Sequence, residues 1–173
     1  MLADYYVEAK SRKEIRGLAN LLRNKLGLQD VLWIPIVELL DILAETIEEF
    51  SYEVVPDNEL ANEIHAETDI VTGHIKIKES VYVRACDGEG RDRMTIAHEI
   101  GHFFMLCLCG FKLHRNYENN IIPAYKDPEW QAKCFAGEFM VGKHLINDMD
   151  IFEIANKCGV SLDAAGYQCA HND

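Results

Sequence analysis

The sequence predicts an α+β domain. Apolar residues recur at helical spacing over residues 4–26 and 35–47, shorten into partly alternating runs between 51 and 85, and return to helical spacing from Arg91 onward. Helices, then strands, then helices is the order of an α+β chain, with a small, mostly antiparallel sheet. At 173 residues the chain is long enough to bury one core, so it reads as a single domain over 1–173. Within it, 1–50 would be N-terminal helices, 51–85 the sheet, 91–142 the central helices and 143–173 C-terminal helices.

In the first helical stretch Ile15, Leu18, Ala19, Leu22 and Leu26 share a face, and Gly27 is placed to stop the helix. Pro35 suits a first turn, and Ile36, Leu39, Leu40, Leu43 and Ile47 follow along one side. Strands are expected at Tyr52–Val55, Ala61–Glu67, His74–Ile77 and Val81–Val83, with Pro56, Gly73 and Glu79-Ser80 as breaks. The helix from Arg91 should run to about Cys107, and a polar loop through His114 and Asn120 should follow it. Asp127-Pro128 is an N-cap with proline at the first helical position, opening a helix to about Val141. Two short helices, near 144–157 and 161–170, flank Gly159.

Composition excludes several classes of function. Apolar residues are 49% and charged residues 27%, an ordinary globular balance. Twenty-nine acids against seventeen bases give a net charge of −12, which argues against direct nucleic-acid binding and suits a basic protein partner. Phe103–Phe111, the most apolar stretch, is too short to span a membrane, and the N-terminus lacks the pattern of a signal peptide. The cysteines at 86, 107, 109, 134, 158 and 169 form no C-x-x-C pair. They are expected to be reduced, buried and small-hydrophobic in a cytoplasmic protein.

Chemistry concentrates in Thr95-Ile96-Ala97-His98-Glu99-Ile100-Gly101-His102, which contains H-E-x-x-H. Two histidines four apart on a helix sit one turn above each other and can reach one metal ion, with the intervening glutamate free to act as a base. With His98 at zero and about 100° per residue, His102 falls near 40°, Thr95 near 60° and Glu99 near 100°. Ile96, Ile100, Phe103, Phe104 and Cys107 occupy about 140° to 240°, a separate face for the core.

A catalytic zinc takes a third protein ligand, and the helix at 127–141 offers Glu129 and Glu138. Glu129 flanks the stripe of Ala132, Phe135, Ala136 and Phe139 and sits in the first turn, where the helix dipole favours a carboxylate. Glu138 falls about 180° away and is expected to be solvated, so Glu129 is the chosen ligand. His114, Tyr117 and Tyr125 are weaker candidates for stabilising an oxyanion. His65, His74, His144 and His171 are not assigned to the site.

Val81–Ala85, then Gly90-Arg91-Asp92-Arg93-Met94-Thr95 leading into His98–His102, resembles the ImmA/IrrE family of zinc metallopeptidases, in which a strand and short loop precede an R-x-R-F-T-x-A-H-E-x-G-H helix. Asp127–Ala132 with Phe135-Ala136 is similar to that family's E-x-x-A-x-x-F-A block. Met94 stands where phenylalanine is usual, and Phe139-Met140-Val141-Gly142 replaces a common Leu-Met-Pro ending. The resemblance covers about residues 15 to 167 and implies a zincin-like metallopeptidase domain. It also implies zinc on His98, His102 and Glu129, and a helix-turn-helix transcriptional repressor of a mobile element or stress response as substrate. Another divalent ion such as Mn²⁺ suits the same donors.

The expected reaction is peptide hydrolysis, with Glu99 taking a proton from the attacking water and passing it to the leaving amine. Val81–Arg84 is the expected edge for an extended substrate segment. The alternatives are a non-catalytic zinc-stabilised module that sequesters a regulatory protein, and a metal-dependent hydrolase of non-peptide substrates.

Overall fold

Local capping decides where the first helix begins. In the computed structural model, which describes residues 5–108, 112–116 and 121–171, β1 (Tyr5–Tyr6) precedes α1 (Arg12–Lys25). Ser11 and Glu14 form a reciprocal capping box, so the helix starts eight residues after the position expected from periodicity. The residues before it are tied elsewhere: the Val7 amide donates to the Lys126 carbonyl and that of Lys10 to Tyr125, each at 2.9 Å. Gly27, at φ +68°, ends the helix as expected. α2 (Ile36–Thr46) follows Pro35 and buries Ile36, Leu39, Leu40 and Leu43.

The sheet differs from expectation in one of its two pairings and in the extent of its strands. β2 (Ser51–Val55), β3 (Ala66–Asp69) and β4 (His74–Lys78) lie in the order β2-β4-β3, with β4 parallel to β2 and antiparallel to β3. The connection 56–65 carries the chain to the far edge, and the turn at 70–73 returns it between the two outer strands. Asp69 Oδ1 accepts the Val71 amide at 2.8 Å in that turn, and Gly73 takes φ +74°. Ala61–His65, expected in a strand, is instead turn and coil, with the Ile64 amide bonded to the Ala61 carbonyl at 3.0 Å.

Val81-Tyr82-Val83 is not a strand. It lies in α3 (Glu79–Cys86), which buries Val81 and Ala85 and exposes Val83. The four-residue spacing of the buried pair, set by packing on the core, overrides the β propensity of the valines.

α4 (Gly90–His102) ends earlier than expected, and Phe103–Leu108 continue as a π-helical turn. Phe103, Phe104, Met105 and Leu106 are all buried, which an α-helix of 100° per residue cannot achieve with one inward face. Phe103 meets Phe50 edge-on at 4.9 Å. β5 (His114–Arg115) pairs antiparallel with β1, and α5 (Pro128–Met140) is capped by Asp127 as predicted. α6 (Ile151–Cys158) begins later than periodicity suggests, because Asp150 and Glu153 form the capping box and residues 143–145 make only a 3-10 turn. Gly159, left-handed at φ +63°, separates α6 from α7 (Leu162–Ala170), which Ser161 caps.

α4 and α5 pack together at the centre, with α1 against α5 and the sheet beside α4. Two buried arginines saturate carbonyls in the joints. Arg23 donates to Phe139 at 2.7 Å and also to Val31; Arg93 donates to Gly159 at 2.8 Å and Ile34 at 2.6 Å, and stacks on Trp33. Glu138, expected to be solvated, is 1% exposed and paired with Arg12 at 2.7 Å and Arg16 at 2.8 Å. The wheel assumed one packed face, whereas α5 packs against both α4 and α1. Cys134 and Cys158 are buried as expected, but Cys86 and Cys169 are exposed. Among the described residues no helix is long and apolar enough to cross a membrane.

Candidate metal centre

His98, Glu99 and His102 project from the last turns of α4, and Glu129 from the first turn of α5. Gly101 lets the two helices approach: a Cβ there would stand 2.7 Å from the Ala132 carbonyl oxygen. Asp127 Oδ1 accepts the Glu129 amide at 2.9 Å, which fixes the start of α5 at the point that faces the histidines.

Three donor atoms converge. His98 Nε2 and His102 Nε2 are 3.1 Å apart, and each is 3.2 Å from Glu129 Oε2. Hydrogen bonding cannot satisfy this triangle. If both rings donate to the carboxylate, two N–H groups face each other; if one ring accepts from the other, its lone pair faces the carboxylate oxygen. A central cation satisfies all three contacts at once. Tetrahedral ligands at zinc distances stand about 3.3 Å from one another, close to the observed edges. Among the described residues these three form a His/Cys/Asp/Glu group able to hold a metal ion.

The electrostatics fit an anionic ligand beside a cation. The ring nitrogens of His102, then His98, hold the Glu129 carboxyl well below the usual carboxylate range. His102 is buried, and its Nδ1 has no hydrogen-bond partner among the described residues. The ring packs edge-on to the His98 ring at 4.6 Å.

Glu99 lies beside the triangle without joining it. Burial pushes its carboxyl up to about 7, against the opposing pull of His98 and of a hydrogen bond from Thr68. The Thr68 hydroxyl lies 2.6 Å from Glu99 Oε2 and 3.2 Å from the Glu99 carbonyl. Thr68 belongs to β3, the strand that borders a cleft of about 340 Å³ lined also by Ala66, Glu67, His98, Glu99 and Glu129. Sequence reasoning missed Thr68: it is a polar residue in a polar strand, thirty-one positions from its partner, and no local pattern marks it.

Other candidates are placed elsewhere. His114 stacks on Tyr6 at 5.1 Å, and Tyr125 lines a separate concavity with Trp130; neither lines the cleft around Glu99. Tyr117 lies outside the described residues. His74 bonds Ser51 and Glu53 on the sheet, His144 meets the Gln29 carbonyl, and His171 that of Tyr167. The substrate edge expected at Val81–Arg84 is helical, and the sheet edge beside the centre is β3.

Comparison with known proteins agrees with the fold. The family model described as the IrrE N-terminal-like domain matches residues 61–170. A solved structure described as a Mycobacterium tuberculosis transcriptional regulator superposes with a TM-score of 0.62 at 13% identity, over 91% of this chain and 46% of that one. The chain thus spans less than half the length of that regulator. No curated protein matches the chain. With the model covering well over half of its residues, the chain belongs to the IrrE N-terminal-like family, a metallopeptidase-type domain of zincin-like fold.

Proposed function

We propose that the protein is a zinc-dependent endopeptidase, with His98, His102 and Glu129 as metal ligands and Glu99 as general base. The observation that carries this reading is the triangle of donor atoms at 3.1–3.2 Å beside a buried carboxylate. A divalent ion held there would supply Lewis acidity for the scissile carbonyl and the attacking water. Glu99 takes a proton from that water and returns it to the leaving amine. Thr68 holds one of its carboxylate oxygens, leaving the other for the proton. An extended substrate segment adds to the outer edge of β3, where main-chain bonds supply affinity.

The proposed substrate is a helix-turn-helix transcriptional repressor acting in a mobile element or a stress response. The family resemblance suggests it, the structural neighbour is described as a transcriptional regulator, and a net charge of −12 suits a basic, DNA-binding partner. The protein itself makes no direct contact with nucleic acid on this reading.

Metal content and cleavage of candidate repressors are the deciding measurements, made on wild type, Glu129→Ala and Glu99→Gln. The expected result is near one zinc per chain in wild type and Glu99→Gln, loss of zinc in Glu129→Ala, and cleavage by wild type alone. A repressor that is inactivated equally by Glu99→Gln without being cut would assign the protein to the sequestering module instead. Chelator-sensitive hydrolysis confined to non-peptide compounds would leave a hydrolase of another class.

A further inference from the structure

The three-stranded sheet carries a row of alternating charge that stops at its outer edge. Glu53 of β2, Lys76 of β4 and Glu67 of β3 are register partners, so their side chains share one face. Lys76 is held by Glu59 at 2.9 Å and Glu53 at 3.6 Å, whereas Glu67 makes no ion pair among the described residues. Glu67 also lines the cleft at the metal centre, and the proposed reaction gives it no role.

The ladder of hydrogen bonds determines which groups face outward. The Lys78 amide donates to the His65 carbonyl at 3.1 Å, one step beyond the Ala66–Ile77 pair. In an antiparallel ladder such bonds fall at every second residue. Glu67, two places on, therefore turns its main-chain groups toward β4, whereas Ala66 and Thr68 turn theirs outward. A segment that adds antiparallel along this edge bonds to Ala66 and Thr68. The residue opposite Glu67 then sits in a non-hydrogen-bonded pair, the arrangement that brings side chains closest. Its side chain lies on the face of Glu67, next in the row after Glu53, Lys76 and Glu67.

We propose that Glu67 selects a lysine or arginine in the substrate, at the residue that pairs with it across the outer edge of β3. A cation there continues the row of alternating sign. Opposite charges directly across two strands attract, and a carboxylate in the same place would be repelled. The substrate residues on either side of the cation point to the other face of the sheet, that of Thr68, whose hydroxyl is 2.6 Å from Glu99 Oε2. The cation thus stands next to the residues presented to Glu99 and the donor triangle. This rests on the peptidase reading given above, which it refines by naming the substrate's charge at one position.

The test uses the full chain, zinc-loaded and carrying Glu99→Gln, so that peptides are bound and not cut. The probes are blocked pentapeptides, Ala-Ala-Lys-Ala-Ala and its counterparts with Gln or Glu at the centre, and the readout is the amide shifts of Ala66 and Thr68. The Lys peptide should bind about two- to fivefold more tightly than the Gln peptide, the range of one cross-strand charge pair. High salt should shrink that advantage. Adding Glu67→Gln should remove it with zinc content unchanged, and adding Glu67→Lys should turn the preference toward the Glu peptide. On peptide mixtures, protein with Glu99 intact should favour cuts near Lys or Arg and lose that bias with Glu67→Gln. Unshifted amides in folded, zinc-loaded protein, equal binding of the Lys and Gln peptides, or a Lys preference that survives Glu67→Gln would each overturn the assignment. Peptides bound with the Lys preference but never cut by protein with Glu99 intact would instead count against the peptidase reading and leave selection by Glu67 standing.

Discussion

At the scale of single residues, the proposed chemistry depends on the environment of Glu99. Its carboxyl is buried and bonded to one hydroxyl, so its orientation depends on Thr68. Thr68→Val removes that bond at nearly constant volume and should lower kcat by about ten- to a hundredfold with zinc content intact, the scale of losing one bond to a charged group. Thr68→Ser should restore most of it, and a kcat/KM series across the three proteins checks both. The same burial has a pH signature in metal-free protein. Glu99 titrates at about 7 folded against an ordinary 4.5, so it binds its proton more tightly in the fold. Its contribution to stability is full below the lower value and is lost as pH rises through the upper one. Glu99→Gln has no such proton to lose. Between about pH 5 and pH 8 the stability of chelated wild type should therefore fall relative to the variant by on the order of 2–3 kcal/mol. Urea unfolding of both proteins at the two pH values measures it.

At the scale of elements, the centre exists because α4 and α5 touch at a glycine. In an exposed helix Gly→Ala is stabilising, but at Gly101 the new methyl would meet the Ala132 carbonyl oxygen at 2.7 Å. The neighbour is backbone, so the helices must separate. Gly101→Ala should cost about 1–3 kcal/mol, the scale of overpacking, and should weaken zinc binding as Glu129 is drawn away from the histidines. Denaturant titration and a zinc-competition assay read the two effects separately. The π-helical turn after His102 serves the same junction: it buries four consecutive apolar residues directly behind α4 and anchors its end.

At the scale of the whole molecule, Glu138 ties together three helices that are distant in sequence. It pairs with Arg12 and Arg16 of α1, and Arg12 in turn holds Gln168 of α7. Replacing Glu138 with alanine leaves two partly buried guanidinium groups without their carboxylate and should destabilise the fold by about 3 kcal/mol. Metal stoichiometry should be unchanged, since Glu138 lies outside the donor triangle; thermal melts of loaded and chelated protein together with zinc analysis check both outcomes. The pair Glu129→Ala and Glu138→Ala thus separates two glutamates on one helix, one placed to hold a metal and one to hold the architecture.

Much of this was legible in the residues. The α+β order, the capped helix at Asp127-Pro128, the H-E-x-x-H helix with its separate core face, and the position of Glu129 at the start of the neighbouring helix all follow from spacings of a few residues along the chain, where helical periodicity and capping act. Misreadings arose where a distant segment decides. Val81–Val83 is helical because the core takes Val81 and Ala85 together, and Glu138 is buried because α1 packs against it. The partnership of Thr68 with Glu99 and the parallel pairing of β2 with β4 likewise join residues far apart in sequence. From sequence alone follow the donor atoms and the helices that carry them, because those depend on neighbours within a turn or two. Only the tertiary structure decides which surfaces meet around them, because that depends on how whole elements pack.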